Sequence, residues 1–429
     1  MSSFIIEGGQ ALDGTVTPGG NKNAALKLLP ACLLTDQPVV LHNIPAINDV
    51  LTMRRILGNL GVEIQDLGGG SLRVQAKEVR QHAVERDLAV QIRASIVLAG
   101  PMLARLGHLE LPPPGGDVIG RRRVDTHILS LEALGADVEM EGGTFQFSTK
   151  GLRGADILLD EASVTATENA VMAAVRAKGT TILRNSASEP HVQELCHFLN
   201  SLGARISGVG SNVLTIEGVD RLGGGEFTIG PDYIEVGSFV GAAAITGGNV
   251  RIRNATPQYL DMIQQVYNRL GVYWEVDGQD VVVPPGQPLR VTPDIDGHIP
   301  EIKAQPWPAF PSDLLSIALV IATQSQGTVL FHEWMYENRF FFVDKLVYMG
   351  AHVVLCDPHR CLVQGPSQLN GERDRIASPD IRAGMALVLA ALCARGETII
   401  HNIGQIDRGY ENLEQKLRSL GANIRREEV

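Results

Sequence analysis

Residues Thr167 to Ala204, TENAVMAAVRAKGTTILRNSASEPHVQELCHFLNSLGA, form the unit whose reading decides the fold. The unit carries three signals in order. Thr167 to Ala177 is apolar almost all round, which predicts a helix buried on every side. Thr181 to Asn185 is a short β-rich run ending in asparagine. An amphipathic stretch then closes at Leu202-Gly203-Ala204, where glycine suits the left-handed position just past a helix.

The same closing triplet recurs as Leu60-Gly61-Val62, Leu134-Gly135-Ala136, Leu270-Gly271-Val272, Met349-Gly350-Ala351 and Leu420-Gly421-Ala422. Its glycines stand 74, 68, 68, 79 and 71 residues apart, so the chain holds six repeats. The β-rich runs keep phase at Val39 to Asn43, His108 to Leu111, Val250 to Asn254, Thr328 to Phe331 and Thr398 to Asn402. The apolar helices do likewise, over Asn23 to Leu34, Arg93 to Leu106, Ile234 to Thr246, Asp313 to Thr323 and Ile381 to Ala394. Buried helices with sheets outside them invert the usual α/β layering. The expected architecture is a two-domain inside-out α/β barrel, three repeats per domain. One domain spans residues 21–229, and the other combines residues 1–20 with 230–429, because repeat six otherwise lacks a neighbouring strand.

The whole chain has 429 residues, 44% hydrophobic and 20% charged, with a net charge of −11. That balance argues against a general nucleic-acid or anionic-membrane binder, so an anionic ligand must meet a local basic cluster. The N-terminal run lacks a basic and then apolar leader pattern, and the apolar segments are shorter than the ~20 residues a bilayer needs. A cytoplasmic protein without membrane insertion is expected. Five cysteines with no paired spacing read as reduced thiols, and no metal-ligand spacing, nucleophilic triad or dinucleotide fingerprint is visible, so neither metal nor cofactor is expected.

One repeat departs from the others. Asn43 to Gly61 and Asn185 to Gly203 are both 18 residues, whereas Leu111 to Gly135 is 24. The excess falls in Pro112 to His127, which holds three prolines, three glycines, Asp117 and Arg121-Arg122-Arg123. It reads as a solvated loop with a charge run or as a mobile lid with glycine hinges, a proton-transfer acid and anion-holding arginines. An insertion into a regular repeat favours the second.

Polar residues open the buried helices: Lys22-Asn23, Arg93, Thr167-Glu168, Asp232 to Glu235, Asp313 and Asp380 to Arg382. Capping accounts for the acids and amides. It does not account for Lys22, Arg93 and Arg382, which stand at the positive end of the macrodipole at a cost of a few tenths to ~1 kcal/mol. Arg122, Arg339 and Arg408 follow in the loops, and six cations from distant segments of an acidic chain point to a polyanionic small ligand.

These residues carry a family resemblance along essentially the whole chain. Gly-Gly-Asn-Lys22-Asn23-Ala-Ala-Leu, Ile92-Arg93-Ala-Ser-Ile, Pro-Gly-Gly-Asp117-Val-Ile-Gly, Ser163-Val-Thr-Ala-Thr-Glu-Asn, Pro-Ala-Phe-Pro-Ser-Asp313, Glu337-Asn-Arg339-Phe, Asp380-Ile-Arg382-Ala and Asp407-Arg408-Gly-Tyr resemble the bacterial enolpyruvyl transferases that act on UDP-N-acetylglucosamine. The resemblance implies two inside-out α/β domains with the active site in the cleft between them. It implies transfer of the enolpyruvyl group of phosphoenolpyruvate to the sugar 3′-hydroxyl with release of phosphate, an early step of peptidoglycan synthesis. Lys22, Arg122 and Arg408 would clamp phosphoenolpyruvate and phosphate, with Arg93 and Arg382 nearby. Asn23 and Asp313 would hold the sugar, Asp313 taking or orienting the 3′-hydroxyl proton. Ser163, Val164, Thr165 and Asp125 would contact the uridine diphosphate, Glu337 and Arg339 would brace the site, and Asp380 would organise the tetrahedral intermediate. A monomer or weak homo-oligomer is expected.

Asp117 stands where most members of this family carry cysteine. That position is thought to protonate the methylene carbon of phosphoenolpyruvate, and fosfomycin alkylates the cysteine, so the resemblance implies insensitivity to fosfomycin. Thr165 replaces a common glycine, Tyr233 a common arginine, and Arg123 a usual proline. The alternatives are another acceptor, either a different nucleotide or shikimate 3-phosphate, and a non-catalytic nucleotide-sugar sensor.

Overall fold

A computed structural model describes residues 2–428; Met1, which begins the N-terminal run read above, and Val429 lie outside the described residues. The chain divides into two compact units. The first holds the N-terminal segment to Gly19, the short piece Val118–Arg121 and everything from Pro231; the second holds Gly20–Asp117 and Arg122–Gly230.

In the first unit the helices Tyr233–Ile245, Ser312–Gln324 and Ile381–Cys393 pack on one another. Every residue of Tyr233–Ile245 is buried. All three meet at Gly241, where a Cβ would lie 3.0 to 3.3 Å from Ile317, Ile321 and Leu389. Trimming one of those side chains, as in Leu389→Ala, belongs to the class of core truncations that cost about 2–5 kcal/mol. The second unit repeats the arrangement with Lys22–Ala31, Ala99–Leu106 and Val164–Ala174, and each unit has one continuous apolar core.

Six sheets surround these helices, three to a unit, and all are open: no strand pairing among the described residues closes a barrel. The inside-out layering is therefore built from three- and four-stranded open sheets. The repeat signals have physical causes. Gly61, Gly135, Gly203, Gly271, Gly350 and Gly421 all have φ between 80° and 105°, the left-handed region that lets a helix end. The asparagines that end the β-rich runs, Asn43, Asn185, Asn254 and Asn402, also have φ between 49° and 58°; asparagine is one of the few side chains that tolerates that turn.

Strand pairing reveals an exchange between repeats. Val39–His42, in the first repeat, takes its parallel partner from Gly225–Thr228, whereas Asn249–Ile252, in the fourth, takes its parallel partner from Asp13–Val16. Ser3–Glu7 lies antiparallel between Glu397–His401 and Asn423–Glu427, supplying the hairpin partner that the sixth repeat lacks. In the two three-stranded sheets the corresponding parallel strand shrinks to a single bridge, Ala83 to Glu110 and Ala377 to His401. The N-terminal segment is fastened where Gly19 N donates to Glu235 Oε2 at 2.6 Å, while Lys416 Nζ meets Glu235 Oε1 at 2.6 Å.

One assignment is corrected. Thr167 and Glu168 do not open their helix. It starts at Val164, capped by Ser163, whose Oγ accepts from Ala166 N at 3.4 Å, and both residues are fully buried one turn inside. Glu168 Oε2 lies 3.5 Å from Lys27 Nζ, and burial, outweighing that cation, pushes its carboxyl up to about 8.

Candidate functional site

In the second unit Asn21 caps the helix Lys22–Ala31, accepting from Ala24 N at 3.0 Å, and so sets Lys22 on the first turn. Lys22 is buried, with Nζ 2.8 Å from Asp49 Oδ2, and Asn23 beside it is half-buried. Asp49 comes from the first turn of Asn48–Leu60, where a carboxylate is favoured by the helix dipole.

Residues 112–124 carry neither helix nor strand. Arg93 binds the descending arm of this loop: its Nη2 donates to the carbonyls of Arg122 at 2.9 Å and Arg123 at 2.7 Å. The ascending arm rests on the Arg86–Ala89 turn, with Gly115 N donating to Ala89 O at 3.3 Å, and a Cβ on Gly115 would collide with the Val90 carbonyl. Asp117 and Arg122 are half-buried, while Arg121 and Arg123 are exposed. Arg123 Nε donates to Asp125 Oδ2 at 3.1 Å, so these two exposed groups engage each other.

Beneath the loop lies a buried network that includes Thr165. Asn169 Oδ1 accepts from Gly100 N at 2.7 Å, which leaves its amide nitrogen to donate to Ile96 O at 2.8 Å and to His127 Nδ1 at 2.9 Å. His127 Nδ1 must therefore accept, and its Nε2–H donates to Thr165 Oγ1 at 3.0 Å. Burial, aided by the Arg93 charge, pushes this imidazole down to about 3, so it is neutral. The hydroxyl of Thr165 thus has a use that glycine could not provide. Ser163 and Val164 stand half-buried at the same helix start.

In the first unit a second constellation forms around Asp313, in the first turn of Ser312–Gln324. Arg339 Nη2 donates to Asp313 Oδ1 at 2.8 Å, and Arg382 Nε donates to Asp313 Oδ2 at 3.1 Å. Both arginines are buried, at 3% and 4% exposure. Burial works against their charge, and Asp313 is the foremost group that outweighs it, leaving both above their ordinary range. Arg382 lies 5.5 Å over the Tyr410 ring, and its buried Nη1 has no hydrogen-bond partner. Asp380 caps Ile381–Cys393, accepting from Arg382 N at 2.9 Å and Ala383 N at 3.0 Å, with Arg339 Nη1 3.9 Å away.

Glu337 and the loop piece Val118–Arg121 belong to this same unit. Asn338 N donates to Ile119 O at 2.9 Å and Arg121 N to Glu337 Oε2 at 3.3 Å, while the Ile119 side chain is buried. Backbone hydrogen bonds, its own N–H first and that of Arg121 next, hold the Glu337 carboxyl below its usual range. Arg408 Nη1 donates to Gln405 Oε1 at 2.8 Å. Tyr233 is buried edge-on to Trp307 at 5.9 Å.

The residues named from sequence thus divide between the units: Lys22, Asn23, Arg93, Asp117, Arg122, Asp125, Ser163, Val164 and Thr165 in one, and Asp313, Glu337, Arg339, Asp380, Arg382 and Arg408 in the other. Among the described residues the one group of three or more converging metal-type donors, His82, His108 and Glu110, includes none of these residues. No helix among them is long and apolar enough to cross a membrane.

Residues 6–417 match the family model described as EPSP synthase (3-phosphoshikimate 1-carboxyvinyltransferase). The chain belongs to the EPSP synthase family. Within it, the chain is 53% identical over 424 residues to a Treponema denticola protein named UDP-N-acetylglucosamine 1-carboxyvinyltransferase, covering 99% of each chain. It is 52% identical over 423 residues to a protein of the same name from Bradyrhizobium diazoefficiens, covering 99% of this chain and 97% of that one. The enolpyruvyl transferase NikO from Streptomyces tendae has the same fold, with a TM-score of 0.87 at 24% identity, covering 99% of this chain and 98% of that one. An EPSP synthase from Acinetobacter baumannii shares the fold at a TM-score of 0.77 and 17% identity, covering all of both chains.

Sequence reasoning missed Asp49, His127 and Asn169. His127 lies in the first turn of Asp125–Ala133, and its place at the end of the inserted stretch is its one sequence signal. Asp49 and Asn169 had none, because their partners lie on other helices.

Proposed function

We infer that this enzyme transfers the enolpyruvyl group of phosphoenolpyruvate to the 3′-hydroxyl of UDP-N-acetylglucosamine and releases phosphate. The geometric observation that carries the reading is Asp313 held by two buried guanidinium groups, one of which, Arg382, keeps a buried Nη1 without a hydrogen-bond partner. Such a pair presents an oriented carboxylate to a hydroxyl and a spare cationic donor to an anion. Two relatives about half identical over nearly their whole length carry the name of that activity.

The proposed chemistry is addition followed by elimination. The 3′-hydroxyl oxygen attacks C2 of phosphoenolpyruvate while C3 takes a proton, giving a tetrahedral intermediate; loss of phosphate and of a C3 proton restores the double bond. Asp313 orients the hydroxyl and accepts its proton. Asp117 delivers the proton to C3. Lys22, Arg122, Arg382 and Arg408 hold the phosphate and carboxylate, with Arg93 setting the arm that carries Arg122. Ser163, Val164, Thr165 and Asp125 receive the nucleotide, and Asn23 the sugar.

The test is phosphate release from phosphoenolpyruvate with each acceptor in turn. Release is expected with UDP-N-acetylglucosamine and not with shikimate 3-phosphate, and Asp313→Asn should lower it about 10²–10⁴-fold. Release with shikimate 3-phosphate alone, or tight nucleotide-sugar binding with no release, would overturn the reading.

A further inference from the structure

On the second unit, away from every residue given a role above, two imidazoles and a carboxylate converge. His108 and Glu110 are two residues apart on the strand His108–Leu111 and so share one face. His82 comes from the segment beside it, held by Glu110 N donating to His82 O at 2.7 Å and Val84 N donating to Glu110 O at 2.9 Å. The backbone beneath all three is thus fixed by strand pairing, a firmer support than a free loop.

The spacing of the side chains is informative. Glu110 Oε1 lies 3.6 Å from His82 Nε2 and 3.7 Å from His108 Nε2, and the two rings have centroids 4.9 Å apart. These separations are long for hydrogen bonds. They are close to the distance of roughly 3.4 Å between neighbouring ligands of a tetrahedral metal with bonds of about 2.1 Å. The three donor atoms all lie within 4.8 Å of one another, and the side chains are partly exposed, so an ion can enter and small rotations can complete the geometry.

We propose that His82, His108 and Glu110 form a site for a divalent transition metal of the zinc type, with the remaining position left to water. Two imidazoles select zinc, nickel or copper over magnesium and calcium, which favour oxygen donors. The ion would bind the His82 segment to the strand His108–Leu111. That strand runs directly into the loop at Pro112, and the Arg86–Ala89 turn following His82 carries the loop's ascending arm through Gly115. Occupancy therefore stiffens the base on which the loop stands.

The experiment uses the full chain, without an affinity tag, titrated with zinc chloride by calorimetry and followed by thermal unfolding. One zinc per chain, unaffected by excess magnesium, and a rise in Tm are expected. His82→Ala and His108→Ala should each weaken binding more than tenfold and abolish the Tm rise, with Glu110→Gln weakening it less. Because all three side chains are partly exposed, the variants should match the parent Tm without zinc. Absence of saturable zinc binding, or binding unchanged by both histidine substitutions, would overturn the proposal. Neither outcome depends on which acceptor the enzyme uses.

Discussion

Asp117 offers an oxygen acid at the position where the family resemblance implies a thiol, and the difference is chemical before it is structural. A carboxylate is a far weaker nucleophile than a thiolate towards an epoxide. Fosfomycin should therefore fail to inactivate the protein, Asp117→Cys should become sensitive, and Asp117→Asn should lose turnover because an amide N–H is far too weak an acid to give up its proton. Time-dependent loss of phosphate release measures all three, and rapid inactivation of the parent protein would refute the idea. His127 makes a separate residue-level prediction. Its folded pKa of about 3 lies below the ordinary 6.5, so the unfolded chain binds the extra proton first. The stability it contributes is complete above pH 6.5 and is lost as pH falls towards 3. His127→Gln should flatten that part of the stability profile, read as urea midpoints across the acid range.

At the scale of helices and strands, the buried pair Lys27 and Glu168 joins two inner helices, and its pH response has the opposite sign. Glu168 ionises near 8 when folded but near 4.5 when unfolded, so the folded state retains a proton that the unfolded state releases. Stability should decline as pH rises from about 4.5 to 8 and level off beyond, and Glu168→Gln should remove that decline. An unchanged slope in the variant would show that Lys27 controls the pair. The same helices show what could be read from sequence. Four of the six apolar runs begin within one residue of the observed helix start, because an all-apolar helix leaves an unmistakable composition, whereas the run from Arg93 opens as the 3-10 segment Arg93–Leu98 and becomes α-helical only at Ala99. The third was read three residues late, since Val164-Thr165-Ala166-Thr167 is poor in strong helix formers and the cap at Ser163 decides the start. The grouping of Asp313 with Arg382 is foreshadowed by charges at helix starts, and Arg339 joins them from a loop. Arg93 was read as an anion ligand, and its bonds to loop carbonyls were invisible because backbone partners leave no trace in side-chain identity.

Across the whole molecule, the exchange of first strands means that the first unit cannot be a single stretch of chain, since it takes Asp13–Val16 from the N-terminal segment. Residues 231–429 alone would lack both Ser3–Glu7 and Asp13–Val16, exposing the edges of two sheets. That fragment should aggregate on expression. A version carrying residues 2–19 joined by a flexible linker after position 429 should be monodisperse, as size-exclusion chromatography would report; equal solubility of the two would contradict the role given to the exchanged strands. Sequence reading assigns residues 1–20 to the C-terminal half, but the particular parallel partners were not legible, because Gly225–Thr228 and Asp13–Val16 are four residues each and lack a clean alternating pattern.

The placement of Ser3–Glu7 between Glu397–His401 and Asn423–Glu427 also orders events during synthesis. The unit holding Gly20–Gly230 has all its strands once Gly230 has emerged, whereas one of the first segments made must wait for nearly the last. At 5–20 residues per second, that interval is roughly ten to forty seconds after Gly230. Throughout it the apolar segment Phe4-Ile5-Ile6 has no sheet to join, and it is the natural point for a ribosome-associated chaperone to act.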